Sequence, residues 1–253
     1  MSTIKLSAVA YLNTKPFLYG IYQHGLEKSI QINLDIPSVC AQKLKDGRAN
    51  LGLIPVAAIP QIPNAQIITN YCIGTEGAVK TVCIYSHVPI EEVEALYLDY
   101  HSRTSAALTR YLLTNHWKVS PKLLAAQAGF ENQISHKTAA LIIGDRTIGL
   151  EEQYPYVYDL GVAWKAHTGL PFVFAAWVST TALTDTFLEQ FNAALQTGVN
   201  KRAQVAQMFQ SSHPNFSVYD YYHQYINYDL TPAKQKALQL FLQQISPKVS
   251  VPF

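Results

Sequence analysis

Residues 98–108 run Leu98-Asp99-Tyr100-His101-Ser102-Arg103-Thr104-Ser105-Ala106-Ala107-Leu108, a strand-like stretch that gives way to hydroxyls and one arginine where a helical pattern begins. Hydroxyls and the free N–H groups of a helix start can share a carboxylate, and Arg103 can add a charge-assisted contact. Ser102, Arg103, Thr104 and Ser105 are therefore a candidate anion cradle, although the same residues also make an ordinary helix cap with a solvated arginine. Asn13 stands at the equivalent strand-to-helix junction near the start of the chain, where its amide can cap the helix or donate to a ligand oxygen. Ser38 precedes the next helical pattern with the same two roles open. Thr81 and Ser86 lie on or just after a β-rich stretch, where a hydroxyl can face a ligand or merely suit a strand. Ile142-Ile143-Gly144-Asp145 closes a buried run with a glycine, which permits close backbone approach, and a carboxylate. Ligands of α/β proteins gather at such strand ends, and an N-cap aspartate has the same appearance.

The elements that must hold these groups follow from hydrophobic periodicity. Residues 4–11 alternate as a strand, and Asn13-Thr14-Lys15-Pro16 then opens a helix whose Phe17, Leu18, Ile21 and Tyr22 share one face. A second helix follows Ser38, and strands are predicted at 51–55, 66–73, 79–85, 95–99, 139–143, 156–160 and 172–179. A helix over 104–115 follows the fourth of these. Helical patterns over 185–210 and after Thr231-Pro232 end the chain. Strands alternating with helices predict an α/β fold with largely parallel sheets. The run over 79–85 and the one over 172–179 suit crossings between two lobes, lobe one comprising residues 1–82 and 178–253 and lobe two residues 83–177. A cleft would lie between them, a favoured place for a small ligand, and helix N-termini facing it would suit an acid.

Composition narrows the classes of function. The 253 residues carry 19 Lys and Arg against 17 Asp and Glu, with no basic patch to draw the chain to nucleic acid or an anionic membrane. The longest apolar stretch, residues 171–178, is far shorter than the roughly 20 residues of a membrane helix. The N-terminus enters a strand pattern with no charged and apolar leader, so a cytoplasmic location is expected. Cys40, Cys72 and Cys83 form no Cys-x-x-Cys pair and read as reduced packing residues. The histidines form no metal-binding spacing, so no metal is expected. Trp164, Trp177 and the tyrosines of 219–228 read as core or surface packing rather than stacking platforms. Near-neutral charge is compatible with a monomer or a homodimer.

Several segments also match one family in order. Val9-Ala10-Tyr11-Leu12-Asn13-Thr14-Lys15-Pro16-Phe17 resembles the opening motif of the MqnA/MqnD family of the futalosine route to menaquinone. Pro37-Ser38, Gly77-Ala78-Val79-Lys80-Thr81-Val82, Ser102-Arg103-Thr104-Ser105, Leu141-Ile142-Ile143-Gly144-Asp145 and Thr168-Gly169-Leu170-Pro171-Phe172-Val173-Phe174 resemble its MqnA branch. Thr81 stands where that pattern usually has serine, and Arg146 where a small residue often follows Gly-Asp. The resemblance spans residues 9–178 and covers none of the C-terminal helices.

The resemblance implies a two-lobed fold like that of type II periplasmic binding proteins and a lyase that dehydrates chorismate to 3-[(1-carboxyvinyl)oxy]benzoate without an organic cofactor. On that basis Asn13 and Thr81 orient the substrate and assist loss of its hydroxyl. The helix-start group with Ser38, Ser86 and Gly144 binds it. The proton goes to the substrate's own enolpyruvyl carboxylate or to Asp145. A passive dicarboxylate-binding protein and an MqnD-type enzyme, 1,4-dihydroxy-6-naphthoate synthase, are the alternatives.

Overall fold

A computed structural model describes residues 4–246, which form two mixed sheets with helices packed on them. The chain lays down β1 (Ile4–Val9), β2 (Ile30–Asp35), β3 (Leu51–Pro55) and β4 (Gln66–Thr75), then crosses to a second sheet of β5 (Val82–Ser86), β6 (Ala95–Leu98), β7 (Lys122–Ala125), β8 (Thr138–Ile143) and β9 (Tyr156–Asp159). It returns to the first sheet as β10 (Phe172–Ser179) and adds β11 (Asn227–Asp229) at the edge. The strand orders are β11-β4-β10-β3-β1-β2 and β7-β6-β8-β5-β9.

Neither sheet is largely parallel, which corrects the expectation from strand–helix alternation. β1 runs parallel to β2 and β3, and β6 parallel to β7 and β8, as βαβ units require. The strands that follow each crossing run against their neighbours: β10 is antiparallel to β3 and β4, and β5 to β8 and β9. Hydrophobic pattern carries no direction, so this was invisible in the sequence. β10 pairs with β3 and β4 within the first sheet.

The helices are α1 (Lys15–Gln23), α2 (Pro37–Lys45), α3 (Arg103–Leu112), α4 (Leu160–Thr168), α5 (Asp185–Asn200), α6 (Arg202–Gln210), α7 (Val218–Asp220) and α8 (Pro232–Ile245). The pattern over 185–210 is two helices, broken at Lys201. In α2 the proline takes the first helical position, so Ile36 is the N-cap and Ser38 lies inside the first turn rather than ahead of it. Side chains of Ser102, Asp159, Thr184 and Thr231 cap α3, α4, α5 and α8.

Helix α1 lies so close to α5 that a side-chain carbon on Gly198 would overlap the carbonyl of Pro16, and one on Gly20 the carbonyl of Ala194. This contact holds the helix that follows Asn13. Gly198→Ala is expected to lower stability by about 2–3 kcal/mol through overpacking against unyielding backbone. Urea unfolding should show this as a lower midpoint with an unchanged slope. An unaltered midpoint would mean that the two helices separate freely.

Candidate active site

A cavity lies between the two sheets and draws its walls from both. The β1–α1 junction supplies Tyr11 and Asn13, the first crossing Val79 and Thr81, the start of α3 Ser102 and Ser105, and the end of β8 Ile143 and Gly144. Pro37, Phe174 and Ala175 close it with apolar surface. No Asp, Glu, Lys or Arg is among the lining residues, so a bound acid would be met by hydroxyls, amides and a helix dipole rather than by a fixed side-chain charge.

Five of the residues singled out in the sequence, Asn13, Thr81, Ser102, Ser105 and Gly144, meet at this cavity. Ser102 caps α3: its Oγ accepts from the Ser105 N–H at 3.2 Å and from the Ser105 hydroxyl at 3.1 Å. The Arg103 and Thr104 N–H groups at the helix start have no intrahelical acceptor. Asn13 Oδ1 accepts from the Thr14 hydroxyl at 3.2 Å, which leaves the amide NH2 group as its donor end. Thr81 Oγ1 lies 2.7 Å from the hydroxyl of Tyr221, a residue from the C-terminal part of the chain.

The other five lie outside the lining, and four of them tie the lobes together. Asp145 takes the Leu12 N–H at 3.0 Å on each of its oxygens. Thr104 Oγ1 accepts from the Ala57 N–H at 3.1 Å. Arg103 Nη2 donates to Gln42 Oε1 at 2.7 Å, so its guanidinium engages α2 across the cleft instead of the cavity. The Ser38 N–H donates to the His101 carbonyl at 2.8 Å. Ser86 is buried at the far end of β5, where its Oγ accepts from the Val88 N–H at 3.1 Å. The two lobes are thus closed on one another along the cavity's rim.

A profile described as menaquinone biosynthesis matches residues 4–246. The chain belongs to the menaquinone biosynthesis family. Among solved structures, this family member is similar to a protein from Archaeoglobus fulgidus, at 14% identity over 96% of each chain with a TM-score of 0.70. It is also similar to the alkanesulfonate-binding protein SsuA from Xanthomonas axonopodis pv. citri bound to MOPS, at 13% identity over 97% of this chain and 94% of that one, TM-score 0.66. A Candida albicans gene product described as exhibiting the generic periplasmic binding protein fold matches at 10% identity over 97% and 89%, TM-score 0.60. At these identities the likeness is one of fold, and the two-lobed periplasmic-binding-protein architecture is that of this menaquinone biosynthesis protein.

A polar network runs back from Tyr11 and Gly144 of the lining to the charged groups beside the site. In this family member the Tyr11 ring lies against the α-carbon of Gly144, whose φ of +70° and lack of a side chain both permit the contact. The Tyr11 hydroxyl bonds His101 Nδ1. Burial, aided by the nearby Arg146 charge, pulls the His101 pKa down to about 4, so the imidazole is neutral and adds no charge beside the cavity. Arg146 in turn pairs with Asp99 and Glu131 and lies over the Phe130 ring. Asp99 also accepts from the His101 N–H at 2.9 Å and the Ile143 N–H at 3.0 Å. Burial raises its carboxyl pKa against the pull of these partners. Arg146, the departure from the resembled motif, is therefore an ion-pair hub beneath the cavity.

Of the tyrosines of 219–228, Tyr221, Tyr222 and Tyr228 pack in the core, Tyr225 is half-buried and Tyr219 exposed, and the three buried ones also reach the β1–α1 junction or the crossing. The Tyr222 hydroxyl donates to the Leu12 carbonyl at 2.8 Å and that of Tyr228 to the Asn13 carbonyl at 3.1 Å, beside the Tyr221–Thr81 contact. Their density in the sequence was visible, but not their targets some 140 to 215 positions away. Cys40, Cys72 and Cys83 are buried free thiols, and burial pushes Cys40 and Cys72 up to about 12. Among the described residues no three His, Cys, Asp or Glu side chains converge as a metal site, and no helix is long and apolar enough to cross a membrane.

Proposed function

We propose that this menaquinone biosynthesis protein is a chorismate dehydratase, a carbon–oxygen lyase that converts chorismate to 3-[(1-carboxyvinyl)oxy]benzoate and water on the futalosine route. The observation that carries the reading is the cavity itself: both lobes turn hydrogen-bond donors into it, and no ionised side chain of its lining competes for a substrate proton or carboxylate. The ordered motifs resembling the MqnA branch supply the identity of the substrate. The free thiols suit a cytoplasmic location, where chorismate would be met.

Elimination breaks the bond from C4 to its hydroxyl and removes the proton at C3, and the electron pair left behind completes an aromatic ring. Such a reaction has a strong intrinsic drive and needs mainly orientation, help for the departing oxygen and a base. The start of α3, with Ser102 and Ser105, would hold one carboxylate on free N–H and hydroxyl groups. The Asn13 amide and the Thr81 hydroxyl would donate to the leaving oxygen, and Gly144 would let the ring approach the backbone. The substrate's enolpyruvyl carboxylate is the favoured proton acceptor, because Asp145 lies outside the lining and spends both carboxyl oxygens on the Leu12 N–H.

The test is incubation of purified protein with chorismate, followed by ultraviolet and mass detection. The expected product is an aromatic enolpyruvyl ether lighter than chorismate by one water. Chorismate recovered unchanged, whether retained by the protein or not, removes this reading in favour of a passive binding protein or an enzyme acting elsewhere in the pathway.

A further inference from the structure

We propose that Tyr221 is a positioning residue whose phenol fixes the direction of the Thr81 hydroxyl proton, so that the proton points into the cavity. This rests on the dehydratase reading and adds to it a residue from the C-terminal segment. Tyr221 begins the turn that follows α7, is 1% exposed, and packs its ring on Phe216 and Tyr222. A buried tyrosine hydroxyl must find a partner. Tyr222 and Tyr228 find theirs on main-chain carbonyls, the ordinary solution. Tyr221 instead meets the side-chain hydroxyl of a cavity residue on the crossing, at 2.7 Å.

Two hydroxyls in contact share one proton between them, and the direction of sharing decides what the second proton can do. If Thr81 donated to Tyr221, it would have nothing left for a ligand. Among the described residues the Tyr221 hydroxyl has Thr81 Oγ1 as its hydrogen-bond partner, so a phenol proton not given to Thr81 would be buried without an acceptor. Burial raises the Tyr221 pKa and keeps the phenol protonated. With no other acceptor in reach, Tyr221 donates its own proton to Thr81 Oγ1. The other acceptor near Thr81, the Val79 carbonyl, stands at 3.5 Å, the outer limit of a hydrogen bond. The Thr81 proton is then left for the cavity, and the β-branch of threonine holds the oxygen in one rotamer. Tyr221 and Thr81 thereby form a polarised pair whose remaining proton faces the cavity. Tyr221 does not line the cavity, so it acts through Thr81.

The test compares chorismate turnover by the wild-type protein, Tyr221→Phe, Thr81→Val and the double variant. Tyr221→Phe keeps the ring and its packing, and is expected to lower kcat roughly 10- to 100-fold through misdirection of a reacting group, with KM little changed. The double variant should lose no more than about twofold beyond Thr81→Val, because the phenol has nothing to orient once the hydroxyl is gone. Independent, multiplying losses, or a raised KM with kcat intact, would reduce Tyr221 to a packing role and overturn the proposal. A wild-type protein that leaves chorismate untouched sinks the dehydratase reading and this proposal together. An active wild type with a fully active Tyr221→Phe sinks this proposal alone. A measurement that does not depend on the phenylalanine variant folding is the spectrum of Thr81→Val carrying carbon-labelled tyrosine Cζ. One buried tyrosine resonance should move, and an unchanged spectrum counts against the contact.

Discussion

Arg146→Met is expected to lower folding stability by about 3 kcal/mol near neutral pH, because it strands a buried carboxylate. The Asp99 side chain is fully buried, whereas that of Arg146 keeps 27% of its surface in water. Removing the arginine therefore leaves the costlier half of the pair behind. The N–H groups of His101 and Ile143 still serve Asp99, which keeps the loss near the lower end for a broken buried pair. The sign of the pH dependence follows from the same geometry. Burial already raises the Asp99 carboxyl in the folded protein, and Arg146 is the largest influence pulling it back. Without Arg146 the folded pKa rises further above the unfolded one. The variant then binds a proton on folding in the window between those two values, and its deficit relative to wild type shrinks as pH falls through that window. Urea unfolding at neutral pH and again near about pH 5 checks this, since the unfolded carboxyl titrates lower still. Adding Asp99→Asn should return part of the lost stability. A pH-independent loss below about 0.5 kcal/mol, the size of an exposed pair, would show that Asp99 is already protonated or hydrated in the native protein.

How far the site was legible in the sequence follows the range of the interactions that build it. Ser102 and Ser105 were readable because a cap is local: a strand end, a hydroxyl and a helical pattern lie within a few positions. β10 was readable to the residue, since a strand buried on both faces is an unbroken apolar run. β2 and β7 were missed, being short edge strands with solvent-facing positions that resemble loops. Arg103 lies outside the cavity lining for a physical reason. A cation at a helix start suggests an anionic ligand, but its length lets it cross the cleft to Gln42. His101 lay in the segment under scrutiny, yet nothing local shows that it is half-buried beside Arg146 and bonded to Tyr11. Tyr221 was least visible, because its contact joins two lengths of chain through the fold alone.

The proposed roles of Asn13 and Asp145 separate sharply in the variants Asn13→Leu and Asp145→Asn. Leucine preserves the volume of Asn13 but removes the amide donor at the cavity and the acceptor of the Thr14 hydroxyl. Loss of a donor aimed at developing negative charge typically costs about 10²- to 10³-fold in kcat, and that is the expected loss for chorismate turnover. Asparagine at 145 keeps an oxygen for the Leu12 N–H and changes a group outside the cavity lining, so its loss should stay below about tenfold. If Asp145→Asn matched the loss of Asn13→Leu while still binding chorismate, the carboxylate would be the base, and assignment of that role to the substrate would fail. The pH profile of the wild-type protein gives the same choice a second reading. Burial raises the Asp145 carboxyl, and a base must be ionised to act, so an Asp145 mechanism would lose kcat as pH falls through that raised value. A substrate carboxylate carries no such limb in the neutral range. The expected kcat profile is therefore level through neutrality, and it should be level in Asp145→Asn as well.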